Sequence, residues 1–598
     1  MGGVLTSPEN LGVWNSMYFA NDALHRNKRK QSCDGKEYFT CICFLSAIVP
    51  FLYRQMGVSS STANHSRTPE QLDVQFLGER CPFGDAELWH LYRCYQAWQS
   101  QTSKTTFLKD WAGACWNRRS KLPHTEAKED DSSTQQTMAL EEYVEKIAQV
   151  EREVLPVDFG NRLYQRAFTI SENAYGTQPP ESSTSRDHLE AFFEGLSNAS
   201  RRGSRAALQV MFRNCQATKN ENNEVTIQAT EFIQLGYRLA LTSEFLQGNH
   251  ASIPVINDTQ QHDETLLALA QSIVEQRKKR MTYIQTDSTT NSTDDFAVTF
   301  EDILEWSEAV APTFASILPT LFHTILFPGM SHSSTGRTAY EFPWVTDDSK
   351  PSSFFQNPTS SLLFTFGCLS PALGGSYYCL YTSTQDGLSF NRLQNALLGY
   401  SGPTLLLART TGKKGSILGA FTASPWKESK DFYGNTDCFL FQVAPRTSIF
   451  RPSGSDRNFM YCNSYARSKG YDQQAHGIGF GGTTTEPRLF FPESFEQCIA
   501  GSRDLTFAHG QLLPDGQRFF ELDSLEVWGV GGSEVVAAAL GAQHQARAIK
   551  AENLRKARTV DRAQFLDDFQ SGVIESKAFA HRNQVDHGRA GTYDEAKK

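Results

Sequence analysis

The chain has no Cys-x-x-Cys pair, no apolar run long enough to cross a bilayer and no excess of basic charge. Its 12 cysteines are scattered, and the closest spacing is Cys41-Ile42-Cys43. Paired zinc ligands of the finger or ribbon kind are therefore not expected. A disulfide framework suits small secreted domains, whereas this chain has 598 residues and opens without a signal peptide. Reduced thiols and a cytoplasmic setting are the expectation, and the sequons at Asn64, Asn198, Asn257 and Asn291 are then chance matches. A net charge of −9 argues against a general nucleic-acid binder, which needs basic surface to displace counterions from phosphate. Two charge-free apolar stretches, 38–53 and 312–330, are broken by proline at Pro50 and at Pro312, Pro319 and Pro328. A spanning helix needs about 20 unbroken apolar residues. The first stretch is expected to be buried or to lie on a membrane surface, and the second to form short buried helices with His323 as a core or interface histidine.

What is present begins at the amino terminus. Met1-Gly2-Gly3-Val4-Leu5-Thr6 fits the N-myristoylation pattern, with Gly2 as acceptor. One acyl chain holds a membrane marginally, and the run Arg26-Asn27-Lys28-Arg29-Lys30 offers a second signal through anionic lipid. The same run also reads as a solvated segment of a loose tail. Residues 59–67 read as a Ser/Thr/Asn-rich linker.

From about 85 to 330 apolar residues recur at helical spacing. Leu88, Leu91, Tyr92 and Tyr95 form one stripe, and Tyr143, Ile147 and Val150 another. Leu189, Phe192, Phe193 and Leu196 follow Asp187, read as an N-cap. Phe232, Leu235, Tyr237, Leu239 and Leu241 follow, and Thr299 with Asp302 reads as a capping box ahead of Ile303, Leu304 and Trp306. Polar interruptions at 121–137 and 174–186 read as mobile loops. Helices paired across loops prompt a test for calcium. The best loop starts at Asp287 and offers Thr289 and Asn291, but Ser292 stands where Gly is needed and Val298 where the bidentate Glu belongs. No metal is expected there.

After a Ser/Thr/Pro-rich stretch the pattern turns to short β-type runs broken by Gly and Pro. An ordered series of motifs runs through it: Leu-Tyr-Thr-Ser-Thr-Gln-Asp-Gly-Leu-Ser-Phe (380–390), Gly-Pro-Thr-Leu-Leu-Leu-Ala-Arg-Thr (402–410) and Leu-Gly-Ala-Phe-Thr-Ala-Ser-Pro-Trp (418–426). Asp-Cys-Phe-Leu-Phe (437–441), Asn-Phe-Met-Tyr-Cys-Asn (458–463), Gly-Ile-Gly-Phe-Gly-Gly (477–482) and Leu-Glu-Val-Trp-Gly-Val (525–530) complete it. This series resembles the TLDc domain over about 355–532. Its arrangement with a Gly2 start, an EF-hand-like helical region and a charged tail is most similar to the MTOR-associated lysosomal branch and its plant and protist relatives. The resemblance implies two packed antiparallel β-sheets with flanking helices, and a binding role. Family members associate with the vacuolar proton-pumping ATPase and are linked to oxidative-stress protection, and none has an established catalytic centre. Two segments depart from the family pattern: 370–376, where a helix is usual, and 489–498, which replaces an aspartate-bearing strand and turn.

The residues singled out as fold or partner-binding positions are Asp386, Gly387, Ser389, Gly419, Phe421, Pro425, Trp426, Gly477, Gly479, Gly481, Gly482, Glu526 and Trp528. Gly477 to Gly482 satisfies G-x-G-x-x-G, but a dinucleotide site needs a following helix, and Thr483-Thr484-Thr485-Glu486-Pro487 does not promise one. Gly412-Lys413-Lys414-Gly415 lacks P-loop spacing, and Cys438 and Cys462 in apolar runs read as packing residues. No catalytic residue, metal or cofactor is expected. The tail from Ser533 favours helix, with Val535, Val536, Leu540 and Ile549 inside; it either docks on a partner or packs on its own domain.

The expected fold is α+β: a flexible segment at 1–75, a degenerate EF-hand-like helical domain at 76–330, a linker at 331–354, the TLDc domain at 355–532 and a charged helical tail at 533–598. The expected role is a non-enzymatic adaptor binding vacuolar ATPase subunits on the cytosolic face of lysosomal, vacuolar or other endomembranes, with no nucleic acid. The alternatives are a stress-resistance factor without pump contact and a cryptic enzyme.

Overall fold

The computed structural model describes residues 68–570 apart from 102–105, 119–139, 170–183, 221–222, 249–262, 285–295, 329–338, 347–348, 413–414 and 465–474. Gly2, the basic run, the stretch 38–53, the linker 59–67, the loop 121–137, most of 174–186, Asp287 to Ser292 and the end of the tail lie outside the described residues. The chain divides into two compact units, Met1–Glu70 and Gln71–Lys598.

In the second unit the helical stripes fold as amphipathic helices whose apolar faces meet. Trp111, which is fully buried, sits 4.9 Å from Phe192 between helices Phe107–Trp116 and Ser185–Ser200. The N-cap of Ser185–Ser200 is Thr184, and Asp187 stands at the third helical position, where its carboxylate accepts from the Thr184 amide at 2.7 Å. Asp187 is thus half of a capping box and not the cap itself. The Thr299–Asp302 box forms as the spacing indicates, with reciprocal bonds at the start of Phe300–Ala309.

Helix Ser204–Asn214 leads through strand Val225–Gln228 into helix Ala229–Leu246, and helix Glu264–Ile284 is followed by strand Ala297–Val298 and helix Phe300–Ala309. These two helix–loop–helix segments are stitched by antiparallel pairing of Ile227 with Val298 and Gln228 with Ala297. Fully buried Val298 is a strand residue. Two helices paired through their loops thus keep a packed form through apolar contacts. Among the described residues no single helix is long and apolar enough to cross a membrane. Helix Ile317–Leu326 is part of the core, with Leu321, Phe322 and Leu326 fully buried and His323 packed 5.4 Å from Phe327.

The β-region holds two larger sheets. One has seven strands in the spatial order Ser448–Phe450, Phe439–Ala444, Ile417–Thr422, Thr404–Thr410, Leu522–Gly529, Ser376–Thr382 and Trp344–Val345. Only the last pair is parallel. The other has six, in the order Phe519–Phe520, Cys498–Ala500, Pro487–Pro492, Gly477–Gly482, Met460–Asn463 and Ser429–Tyr433.

Successive side chains of a strand point to opposite faces, and in the seven-stranded sheet both faces are covered. Leu406, Ala408, Leu418, Ala420, Leu440 and Val527 join the core shared with the six-stranded sheet. Their neighbours Leu405, Leu407, Phe421, Phe439, Phe441 and Trp528 join the core of the helical region. That double burial explains why Thr404–Thr410 reads Leu-Leu-Leu-Ala without alternation. Helix Ser361–Leu369, buried at every position, lies in the second of these cores, with Phe366 5.3 Å from Phe441 and Phe364 5.1 Å from Tyr237. Polar links follow the same boundary: Thr313 Oγ1 donates to the Gly367 carbonyl at 2.5 Å, Ser361 to Asp263 at 2.7 Å, and Arg446 meets Glu275 at 3.1 Å. Within 331–354, Tyr340 and Phe342 are buried in this core.

Replacing Phe364 by Ala is expected to lower unfolding free energy by about 3–5 kcal/mol through lost burial and a residual cavity. Urea titration followed by circular dichroism measures it, and a loss below about 1 kcal/mol would contradict the double-sided core.

Candidate functional site

Inside the β-region, Glu526 is fully buried in the strand Leu522–Gly529. A buried carboxylate is tolerated only when its lone pairs are used. Oε1 accepts from the Ser353 amide at 2.6 Å, from Ser353 Oγ at 2.9 Å and from Thr382 Oγ1 at 3.3 Å. Oε2 accepts from Ser352 Oγ at 2.8 Å and from Trp528 Nε1 at 3.0 Å. Glu526 and Trp528 share a face because they are two residues apart on one strand. The segment before helix Ser361–Leu369 closes over them, with Phe355 5.2 Å from Trp528.

Beside this knot, Lys350 Nζ lies 2.5 Å from Asp386 Oδ2. Partial burial works against the Asp386 charge, but Lys350 and the Thr382 amide outweigh it and hold the carboxyl below its ordinary range. Asp386 ends the short helix Ser383–Asp386, Gly387 turns the chain at φ +73°, and Ser389 leads into helix Phe390–Leu397. These groups close a loop. With its five donors, Glu526 is a strut. Ser352, Ser353 and Lys350 were not legible as partners, because they approach Glu526 and Asp386 only through tertiary contact.

The other motif residues are packing positions. Phe421 stacks on Phe439 at 4.9 Å, and Trp426 Nε1 donates to Thr404 Oγ1 at 2.8 Å, while Pro425 is exposed. At Gly419 a Cβ would stand 1.9 Å from the Leu406 carbonyl oxygen, so no side chain fits between the paired strands. Gly477 and Gly479 pair with Pro492 and Phe490 in the six-stranded sheet, and Gly481 takes φ +68° beside Asp504. Gly482 ends this strand, and the next element is strand Pro487–Pro492, so the glycine run does not open a helix. Cys438 and Cys462 are buried, and burial pushes both thiols up, Cys462 to about 12.

A cavity of about 410 Å³ lies beside these strands, lined among others by Asp456, Thr483, Glu486, Arg503, Gln517 and Arg518. Among the described residues its lining contains no His, Cys or Lys. Asp504, one of the lining residues, forms a buried pair with Arg488 at 3.8 Å, and burial lowers the Arg488 guanidinium to about 10.

The third feature is the C-terminal helix Ser533–Gln570, with 38 residues. Its first turns pack on the β-region: Val536 and Ala539 are buried, and Gln543 Nε2 donates to the carbonyls of Ala396 at 2.8 Å and Leu398 at 3.0 Å. Arg547 donates to the Asn395 carbonyl. Every residue at 544–559 is exposed. The inward set is therefore narrower than the sequence pattern implies: Val536 is buried and Leu540 half-buried, whereas Val535 is 44% and Ile549 52% exposed. Packing and projection divide the helix at about Arg547.

Glu526→Gln would turn an amide N–H₂ toward donors. It is expected to cost about 2–3 kcal/mol, the scale of charge-assisted bonds lost in a buried site. A melting temperature unchanged within error would contradict the strut role.

Residues 353–531 match the TLDc domain. Over 170 residues the chain is 31% identical to the MTOR-associated protein MEAK7 of Danio rerio, covering 28% of this chain and 36% of that protein. It is 26% identical over 198 residues to Restriction of telomere capping protein 5 of Colletotrichum graminicola, covering 26% of this chain and 33% of the relative. It is also 26% identical over 169 residues to Oxidation resistance protein 1 of Xenopus tropicalis, covering 27% and 19%. The matched region thus spans between about a fifth and little more than a third of these relatives' own length.

Proposed function

We propose that this chain, whose residues 353–531 form a TLDc domain, is a non-enzymatic regulator whose C-terminal helix engages the vacuolar proton-pumping ATPase at a membrane surface. The observation that carries the reading is the exposed stretch 544–559 of helix Ser533–Gln570. Beyond Arg547 some 23 residues, about 35 Å at 1.5 Å per residue, extend from a domain to which the first turns are bonded.

A helix that is polar on all sides gains little by itself from burial. This one is held by good helix formers and by pairs such as Lys556–Glu552 at 2.8 Å. From Arg547 to Arg558 the cations Arg547, Lys550, Arg555, Lys556 and Arg558 outnumber Glu552 and suit an acidic partner surface, whereas Asp561, Asp567 and Asp568 against Arg562 make the last turns acidic. The exposed apolar residues Ile549, Leu554 and Leu566 stand at different angles around the axis. A partner that buries all three has to surround the helix rather than receive one stripe. Attachment to the membrane through acylated Gly2 and the basic run at 26–30 belongs to the same proposal.

Affinity capture from native membranes tests it. The full chain is expected to recover pump subunits, and a chain ending at residue 547 to lose them at least about tenfold while keeping its melting temperature. Full-length protein that never recovers pump subunits, or a truncated chain that recovers them equally, would overturn the reading. Gly2→Ala is expected to move the protein from membrane to soluble fractions, and unchanged partitioning removes the lipid anchor.

The likeness to a protein named for oxidation resistance favours a second reading, a stress-pathway factor without pump contact. Loss of the gene would then alter peroxide survival while vacuolar acidification stayed normal.

A further inference from the structure

Helix Asp85–Gln99 carries His90 and Cys94 one turn apart, so both project from its buried side. Helix Phe107–Trp116 brings Cys115 against them. One ligand atom from each of the three side chains lies within 4.8 Å of the other two, and Cys94 Sγ is 3.7 Å from His90 Nε2. His90 is 6% exposed, and Cys94 and Cys115 are fully buried. Among the described residues this is the one group of His, Cys, Asp and Glu that closes to metal-binding distance.

The spacing has a specific meaning. With metal–sulfur bonds of about 2.3 Å and metal–nitrogen bonds of about 2.0–2.1 Å at a tetrahedral centre, sulfur and nitrogen ligands stand about 3.6 Å apart. The Cys94–His90 separation meets that value without rearrangement of the helix. A fourth donor is adjacent: the Leu326 carbonyl oxygen is 3.3 Å from His90 Nε2. It is the last residue of helix Ile317–Leu326, and a helix carboxyl end favours a cation.

We propose that His90, Cys94 and Cys115 bind Zn²⁺, with the Leu326 carbonyl completing the coordination. Two thiolates and one divalent ion sum to zero charge, which limits the desolvation cost of so buried a site. Borderline-soft zinc suits a sulfur and imidazole set better than calcium or magnesium does. Zinc entry displaces the thiol protons to solvent and forms two zinc–sulfur bonds, with no change of oxidation state. The ion would tie two helices to the end of a third.

The full-length chain, purified without a polyhistidine tag or chelator, tests the assignment by elemental analysis. It is expected to hold about one zinc per chain, and Cys115→Ala about tenfold less. Because a buried substitution can impair folding, the wild-type protein supplies a second measurement. After zinc removal, added Co²⁺ should give thiolate-to-cobalt charge-transfer absorption, and Zn²⁺ should abolish it and raise the melting temperature. A metal-free wild type that shows no such absorption with Co²⁺ overturns the proposal. So does zinc content unchanged in Cys115→Ala, or a Cys94–Cys115 disulfide in the protein as purified.

Discussion

Burial of the seven-stranded sheet on both faces is the constraint from which the rest of the second unit follows. A sheet covered on one side alternates apolar and polar residues; one covered on both has no solvent side on which to place charge. Its strands therefore need two partners, and the chain supplies them in different forms. The six-stranded sheet takes one face, and helix Ser361–Leu369 with the helical region takes the other. The helical region shares a core with the β-region, and buried Tyr340 and Phe342 extend that core through the segment between them.

The same constraint decides what Glu526 is for. A carboxylate in such a sheet is stable only if donors from outside the strand reach it, and the pair Ser352–Ser353 does so. Closing that segment also buries Phe354, seats Phe355 against Trp528 and fixes Lys350 opposite Asp386. The polar knot thus holds the boundary segment in position, and its saturation with donors suits a structural role. Chemical freedom lies elsewhere, in the projecting helix and in the paired helices near the start of the unit.

The described cysteines divide along the same lines. Cys379, Cys462 and Cys498 sit in strands where burial dominates and raises their thiols. Cys94 is equally inaccessible but has His90 and Cys115 as neighbours, and hydrogen bonding reverses the direction. Depth alone does not make a thiol inert; the difference lies in what shares its depth. The spacing His90-x-x-x-Cys94 was a sequence signal of one helical turn, but Cys115 comes from another helix and completes the set only on folding.

Much of this protein was legible without a structure. Helical stripes, the Thr299–Asp302 box, the change to short β-runs and the ordered motifs at 380–530 are local patterns, because periodicity and capping depend on residues a few positions apart. The absence of a helix after Gly482 was readable for the same reason. Other features depended on distant chain segments meeting. Thr184 displaced Asp187 as the cap once the true helix start was set, and Ser352 and Ser353 became partners of a strand more than 170 residues away. The tail shows the division in one element. Composition determined that it is helical, since propensity acts residue by residue. Only tertiary structure decided that Gln543 docks and Ile549 does not, because the domain surface ends near Asn395 and leaves the remaining turns in water.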